Sequence, residues 1–173
     1  MTAGPEARRS GDPSPRIRVH VVDEQSVEQL DLARWRALAG SILNAEALWG
    51  PGEATLLFVE IDAMAPLNKI HMGVDGPTDV LSFPIDSDDN LVGFEDRLVG
   101  DIVICPAVAR ANANEHAGLF EDELALLIAH GVLHLLGHDH GERIERELMW
   151  KREKELLGEF WGDLPPTAWS ESS

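Results

Sequence analysis

At 173 residues with a single cysteine, the chain is long enough to bury one hydrophobic core without disulfides or a metal staple, and one catalytic domain accounts for its length. A formal net charge of −17, from 31 acidic against 14 basic residues, excludes a broad basic face that binds nucleic acid electrostatically. Any nucleic-acid substrate must be met by a local basic patch, by a bound metal, or through another macromolecule.

Met1 to Pro15 mixes proline, glycine and serine without an apolar run and reads as a disordered tail with no secretory core. Residues 161–173 read as a second, flexible tail, leaving residues 16–160 as the domain. No apolar stretch approaches the roughly 20 residues of a membrane span, so no membrane partner is expected. Lone Cys105 fits a reducing, cytoplasmic setting, and its place after Ile102-Val103-Ile104 suggests a buried small hydrophobe.

Within the domain, Arg16 to Val22 alternates polar and apolar residues and predicts a strand. Val27 to Leu48 follows as a helix, with Leu30, Ala33, Ala37, Leu38 and Ile42 on one side. Ala54 to Ile61 predicts a second strand and Ala63 to Ile70 a short helix. A third strand, Asp79 to Pro84, is entered through the Gly76-Pro77 turn, and Leu98 to Cys105 is a fourth. The acidic residues between Asp86 and Asp96 read as solvated surface. Pro106 opens a helix that Gly118 stops after Ala117. Glu121 to Leu136 is apolar nearly all round and predicts a buried central helix. Its opening Glu121-Asp122-Glu123 reads as solvated acids that complement the helix dipole. Glu142 to Leu157 is a last, amphipathic helix. This order implies an α+β domain: a small mixed four-stranded sheet packed with about five helices, mainly on one side.

The central helix carries the chemistry. Of seven histidines, four lie in the eleven residues His130-Gly131-Val132-Leu133-His134-Leu135-Leu136-Gly137-His138-Asp139-His140. His130 and His134, four apart, project from one helix face a turn apart. Gly137 tolerates the positive φ at which helices often stop, and the reversed chain can return His140 to the same point. Three imidazoles with a fourth position left open is how catalytic zinc is held, and one cysteine excludes a closed thiolate site. The spacing is that of the extended zinc-protease signature except at Gly131, where those proteases place the glutamate that serves as general base. A metal-assisted reaction other than peptide hydrolysis is indicated. His138 reads as a loop residue, with a fourth ligand or a proton carrier as alternatives. His20 and His116 lack partner spacing and read as structural.

The stretch His130 to His140, together with Pro77-Thr78-Asp79-Val80-Leu81-Ser82-Phe83-Pro84, resembles the signatures of the YbeY family of bacterial endoribonucleases. Gly100-Asp101-Ile102-Val103-Ile104 and Leu67-Asn68 are weaker matches, and the resemblance extends over about Arg16 to Leu157. It implies a zincin-related α+β fold, with His130, His134 and His140 as ligands of one zinc ion. It also implies cleavage of single-stranded RNA in 16S rRNA 3′-end maturation and ribosome quality control. Thr78, Asp79 and Ser82 would build the rim of the substrate cleft. Many members carry an arginine five residues ahead of the motif's proline, taken to contact substrate phosphate; here that position is Met72. His71, Lys69 and Arg97 are alternative phosphate contacts. For the base, Asp139, His138 and the substrate's own 2′-hydroxyl stay open, and Asp139 has a rival role in holding a ligand imidazole's second N–H. Two other readings compete: a zinc peptidase or other metallohydrolase on the same ligands, and a ribosome assembly factor with structural zinc. The acidic charge suits delivery to rRNA by a ribosomal protein or GTPase partner.

Overall fold

Along Gly52–Phe58 buried and half-buried residues alternate without a break, as a strand covered on both faces requires. The computed structural model describes residues 17–47, 50–85 and 97–170. The expected N-terminal tail and the Asp86 to Asp96 surface lie outside the described residues. The elements run β1 (Ile17–Asp23), α1 (Leu32–Glu46), β2 (Gly52–Phe58), α2 (Ile61–Met72), β3 (Val80–Pro84), β4 (Arg97–Ile104), α3 (Pro106–Ala113), α4 (Phe120–Leu135) and α5 (Arg143–Phe160). This is the expected α+β order.

The sheet order is β1-β2-β4-β3. β1, β2 and β4 are parallel, and β3 pairs antiparallel with β4 at the edge. Leu56, Phe58, Ile102 and Ile104 share one core with Ile42 of α1, Leu124 and Ile128 of α4, and Leu156 of α5. On the opposite sheet face Leu81, Val103 and Cys105 pack with Met64 of α2 and with Ala107 and Val108 of α3, so α1, α4 and α5 serve the first core cluster, α2 the second, and α3 both. Cys105 is fully buried, and α4 is the central helix that its apolar circumference predicts.

Three expectations shift for local reasons. α1 starts at Leu32, not Val27, because Asp31 caps it by accepting the Arg34 N–H, while the Gln25 side chain bonds the Glu28 backbone and holds the preceding residues in a turn. α3 ends at Ala113, short of Ala117, and the chain turns until Gly118, φ 93°, returns its N–H to the Ala113 carbonyl at 2.7 Å. Glu123 is not a solvated acid: it is 1% exposed, and its carboxylate takes the Ala117 N–H and His116 Nδ1, each at 3.1 Å. Buried charge needs such partners. His116 is thereby structural, as read.

The larger correction concerns residues 161–170, the described part of the expected C-terminal tail. Pro166–Trp169 form a 3-10 turn, and Trp169 is 8% exposed against α5. Apolar Leu164 and Trp169 pack onto the core cluster, which a polar, proline-containing composition masks.

Candidate active site

α4 positions the first two imidazoles, and its termination positions the third. After Leu136, Gly137 adopts φ 97° and donates to the His134 carbonyl at 3.1 Å, while His138 N–H reaches the Leu133 carbonyl at 3.0 Å. This paired bonding satisfies carbonyls that the helix end leaves open, and it reverses the chain at the residue type that tolerates positive φ. His140 returns accordingly. Ring centroids lie 4.6 Å apart for His130–His134 and His134–His140, and 5.1 Å for His130–His140. One ligand atom from each lies within 4.8 Å of the others, the one such convergence among the described residues.

The same reversal sends His138 elsewhere. Its backbone caps the helix, its Nε2 stands 4.0 Å from Glu46 on α1, and it does not line the cleft beside the three rings. Neither the fourth-ligand role nor the catalytic role suits that position.

His130 is oriented by a residue the motif does not contain. Its Nδ1 lies 2.7 Å from Glu153 Oε1 on α5, and Glu153 Oε2 accepts the Trp169 indole N–H at 3.0 Å. Glu153 is 1% exposed. A carboxylate only accepts, so the shared hydrogen belongs to Nδ1, and Nε2 keeps its lone pair for a metal. A signal for Glu153 exists in sequence: it is a charge among Met149, Leu156 and Leu157, the buried face of α5. His134 is held as a neutral base, its pKa lowered to about 4 by burial first and then by the neighbouring charges of His130 and His140. His140 is lowered likewise by burial and by His130. Three converging imidazoles, two of them with lowered pKa and one with a fixed hydrogen-bond partner, suit a borderline divalent ion, so this site could hold a metal.

The rings open onto a cleft of about 630 Å³. Thr78, Asp79 and Ser82 line it with His71, Met72 and Asn68, so the structure gathers every residue expected at the rim. Ser82 Oγ donates to the Gly131 carbonyl at 3.0 Å, fastening β3 to the ligand helix. Asp79 Oδ1 accepts the Val80 N–H at 2.8 Å, and buried Asn68 holds the Gly76 carbonyl at 2.8 Å, which shapes the turn entering the motif. Gly131 points into the sheet: a Cβ there would lie 2.7 Å from Ile102 Cγ2. No side chain, let alone a catalytic glutamate, fits that position without displacement. Of the three cations considered for phosphate, only His71 lines the cleft; Lys69 pairs with Asp75 at 2.9 Å, and Arg97 begins β4. Asp139 lines the cleft but does not hold an imidazole. Its Oδ1 is 3.9 Å from His140 Nδ1 and instead accepts the backbone N–H groups of His140 and Gly141 at 2.7 and 3.2 Å, which keep its pKa low.

The family model for endoribonuclease YbeY matches residues 20–161. The chain belongs to the YbeY family of endoribonucleases. Endoribonuclease YbeY of Frankia casuarinae is 40% identical over 152 residues, covering 84% of this chain and 76% of its own length. That of Pelotomaculum thermopropionicum is 42% identical over 121 residues, covering 69% and 80% respectively. The solution structure of TM1509 from Thermotoga maritima superposes with a TM-score of 0.56 at 30% identity, covering 84% of this chain and 89% of that one. A YbeY-family chain is an enzyme that cleaves RNA internally, and the three-histidine site and its cleft are where this one presents convergent chemistry. The peptidase reading falls with the family match and with the crowding at Gly131. No helix among the described residues is long and apolar enough to cross a membrane.

Proposed function

We propose that the chain is a zinc-dependent endoribonuclease of single-stranded RNA, acting in the cytoplasm on the 3′ end of 16S rRNA and in ribosome quality control. The observation that carries the metal-dependent reading is the convergence of His130, His134 and His140 at the floor of an open cleft. Zinc bound by these three imidazoles would polarise a phosphoryl oxygen as a Lewis acid and provide an activated water near neutral pH.

The remaining work falls to the protein's own groups. Glu153 fixes the His130 ring. Ser82 fastens the rim to α4, Thr78 and Asp79 complete that rim, and the His71 imidazole lines the cleft where it can meet a substrate phosphate in place of the arginine that the family resemblance implies. Asp139, exposed in the cleft and anchored by backbone N–H groups, receives the proton lost by the attacking water. Exposed Met72 and Val74 offer apolar contact to unstacked bases, which supports a single-stranded substrate over a stacked duplex. The net charge of −17 supports recruitment to the ribosome by a ribosomal protein or GTPase partner.

The test incubates purified protein with a single-stranded rRNA fragment, alongside a chelated sample and His134→Ala, with metal analysis of each. Wild type should carry one zinc per chain and cut; the chelated and His134→Ala samples should do neither. Full cleavage by metal-free His134→Ala would refute the scheme.

A further inference from the structure

We infer that Trp169 is a positioning residue for the metal site, delivered by chain that lies beyond the family-model match. That match ends at residue 161, and α5 ends at Phe160. The chain then folds back so that the Pro166–Trp169 turn brings the indole onto α5. Its N–H donates to Glu153 Oε2 at 3.0 Å, while Glu153 Oε1 is committed to His130 Nδ1 at 2.7 Å. Two further contacts anchor the strap: the Thr167 hydroxyl donates to the His116 carbonyl at 2.5 Å, and Lys154 Nζ lies 4.9 Å from the Trp169 ring centroid.

The chemistry of the pair makes this more than packing. Glu153 is 1% exposed, so an oxygen deprived of its donor is left buried and unsatisfied, or rotates to share the His130 hydrogen. An indole donates and cannot accept, so it fixes one oxygen without competing for the imidazole. A small cavity of about 200 Å³, lined by His130, Glu153, Ala168 and Ser170, abuts the pair. With the indole N–H gone, water from that cavity gains a place on the carboxylate, and the imidazole loses its fixed partner. The strap is therefore a third layer around the ligand, acting through Glu153.

The inference rests on the metal-site reading of the three histidines. Trp169→Phe keeps an apolar ring beside Lys154 and removes the N–H. Cobalt affinity is measured by competition with a chromophoric chelator near neutral pH, and the ring nitrogens of His130 are followed by 15N NMR in metal-free protein. Outer-layer partners of metal ligands are worth about 10–100-fold in affinity, so a loss on the order of tenfold is expected for Trp169→Phe. In a Glu153→Met background, which leaves neither N–H an acceptor at that position, the same substitution should change nothing further. Metal-free wild type should show the Nδ1–H tautomer of His130, and Trp169→Phe a mixture. Should Phe fail to fold, the benzothienyl analogue of tryptophan at 169 keeps the shape and replaces N–H by sulfur. An affinity within about twofold of wild type with an unchanged tautomer overturns the inference, as do equal losses in both backgrounds. If wild type binds no cobalt, the metal reading fails and the NMR comparison alone decides the role of Trp169.

Discussion

Gly131→Ala isolates why this site carries no side chain beside its first ligand. Taken alone, the substitution should stabilise a helix interior by about 1 kcal/mol. The added methyl, however, would stand 2.7 Å from Ile102 Cγ2, with Ile102 Cγ1 and Ser82 Oγ both at 3.4 Å. Ile102 is 1% exposed in β4, and its Cγ2 branches directly from the strand, so it has no flexible end to swing aside. Overpacking of this kind costs about 1–3 kcal/mol, and the short contact argues for the upper part of that range. Moving α4 from the sheet also strains the 3.0 Å bond from Ser82 to the Gly131 carbonyl. Net destabilisation should be about 1–2 kcal/mol, which lowers the melting temperature by roughly 2–8 °C for a domain of this size. Thermal melts in chelator of wild type, Gly131→Ala, Ile102→Ala and the double variant give the cycle. Ile102→Ala alone should cost about 2–5 kcal/mol, and the double variant less than the sum by at least about 1 kcal/mol, because each relieves the other. A Gly131→Ala protein as stable as wild type, or strict additivity, would refute the crowding argument.

The remaining predictions address charge and chemistry. Metal-free protein should lose stability as pH falls from about 6.5 towards 4: His134 has a lowered folded pKa, so the unfolded chain takes up the proton first in that interval. Melts across that range should show a shallower slope for His134→Ala, and an identical slope would contradict the assignment. Asp139→Asn keeps an oxygen for the two backbone N–H groups but cannot take a proton, so cleavage should fall about 10²–10⁴-fold while metal affinity holds; undiminished cleavage would remove Asp139 as the base. No lysine or arginine lines the cleft among the described residues, so Met72→Arg should tighten RNA binding and steepen its log–log salt dependence by about 0.7. An unaltered slope in binding titrations from low to moderate salt would place position 72 outside the phosphate path.

How much was legible in sequence depends on how far each feature reaches along the chain. The spacing of His130 and His134 and the stop at Gly137 are local properties of a helix, set by its pitch and by the residue that tolerates positive φ, and the structure reproduces both. The apolar circumference of α4 likewise announces burial whatever packs against it. Fold class and the order of elements follow from periodicity in the same way. What tertiary structure decided is which distant groups complete these local features. Glu153 lies 23 residues from His130, yet it rather than the nearer Asp139 holds that imidazole, because α5 packs on α4 while Asp139 is engaged by the backbone beside it. Glu123 and Trp169 sit in segments that composition marks as solvent-facing, and only the folded chain gives their polar atoms partners: the turn at His116 and Ala117 for Glu123, and Glu153 on α5 for Trp169. Sheet order and the crowding at Gly131 belong here too, since a residue's own neighbours in sequence say nothing of the strand against which its helix lies.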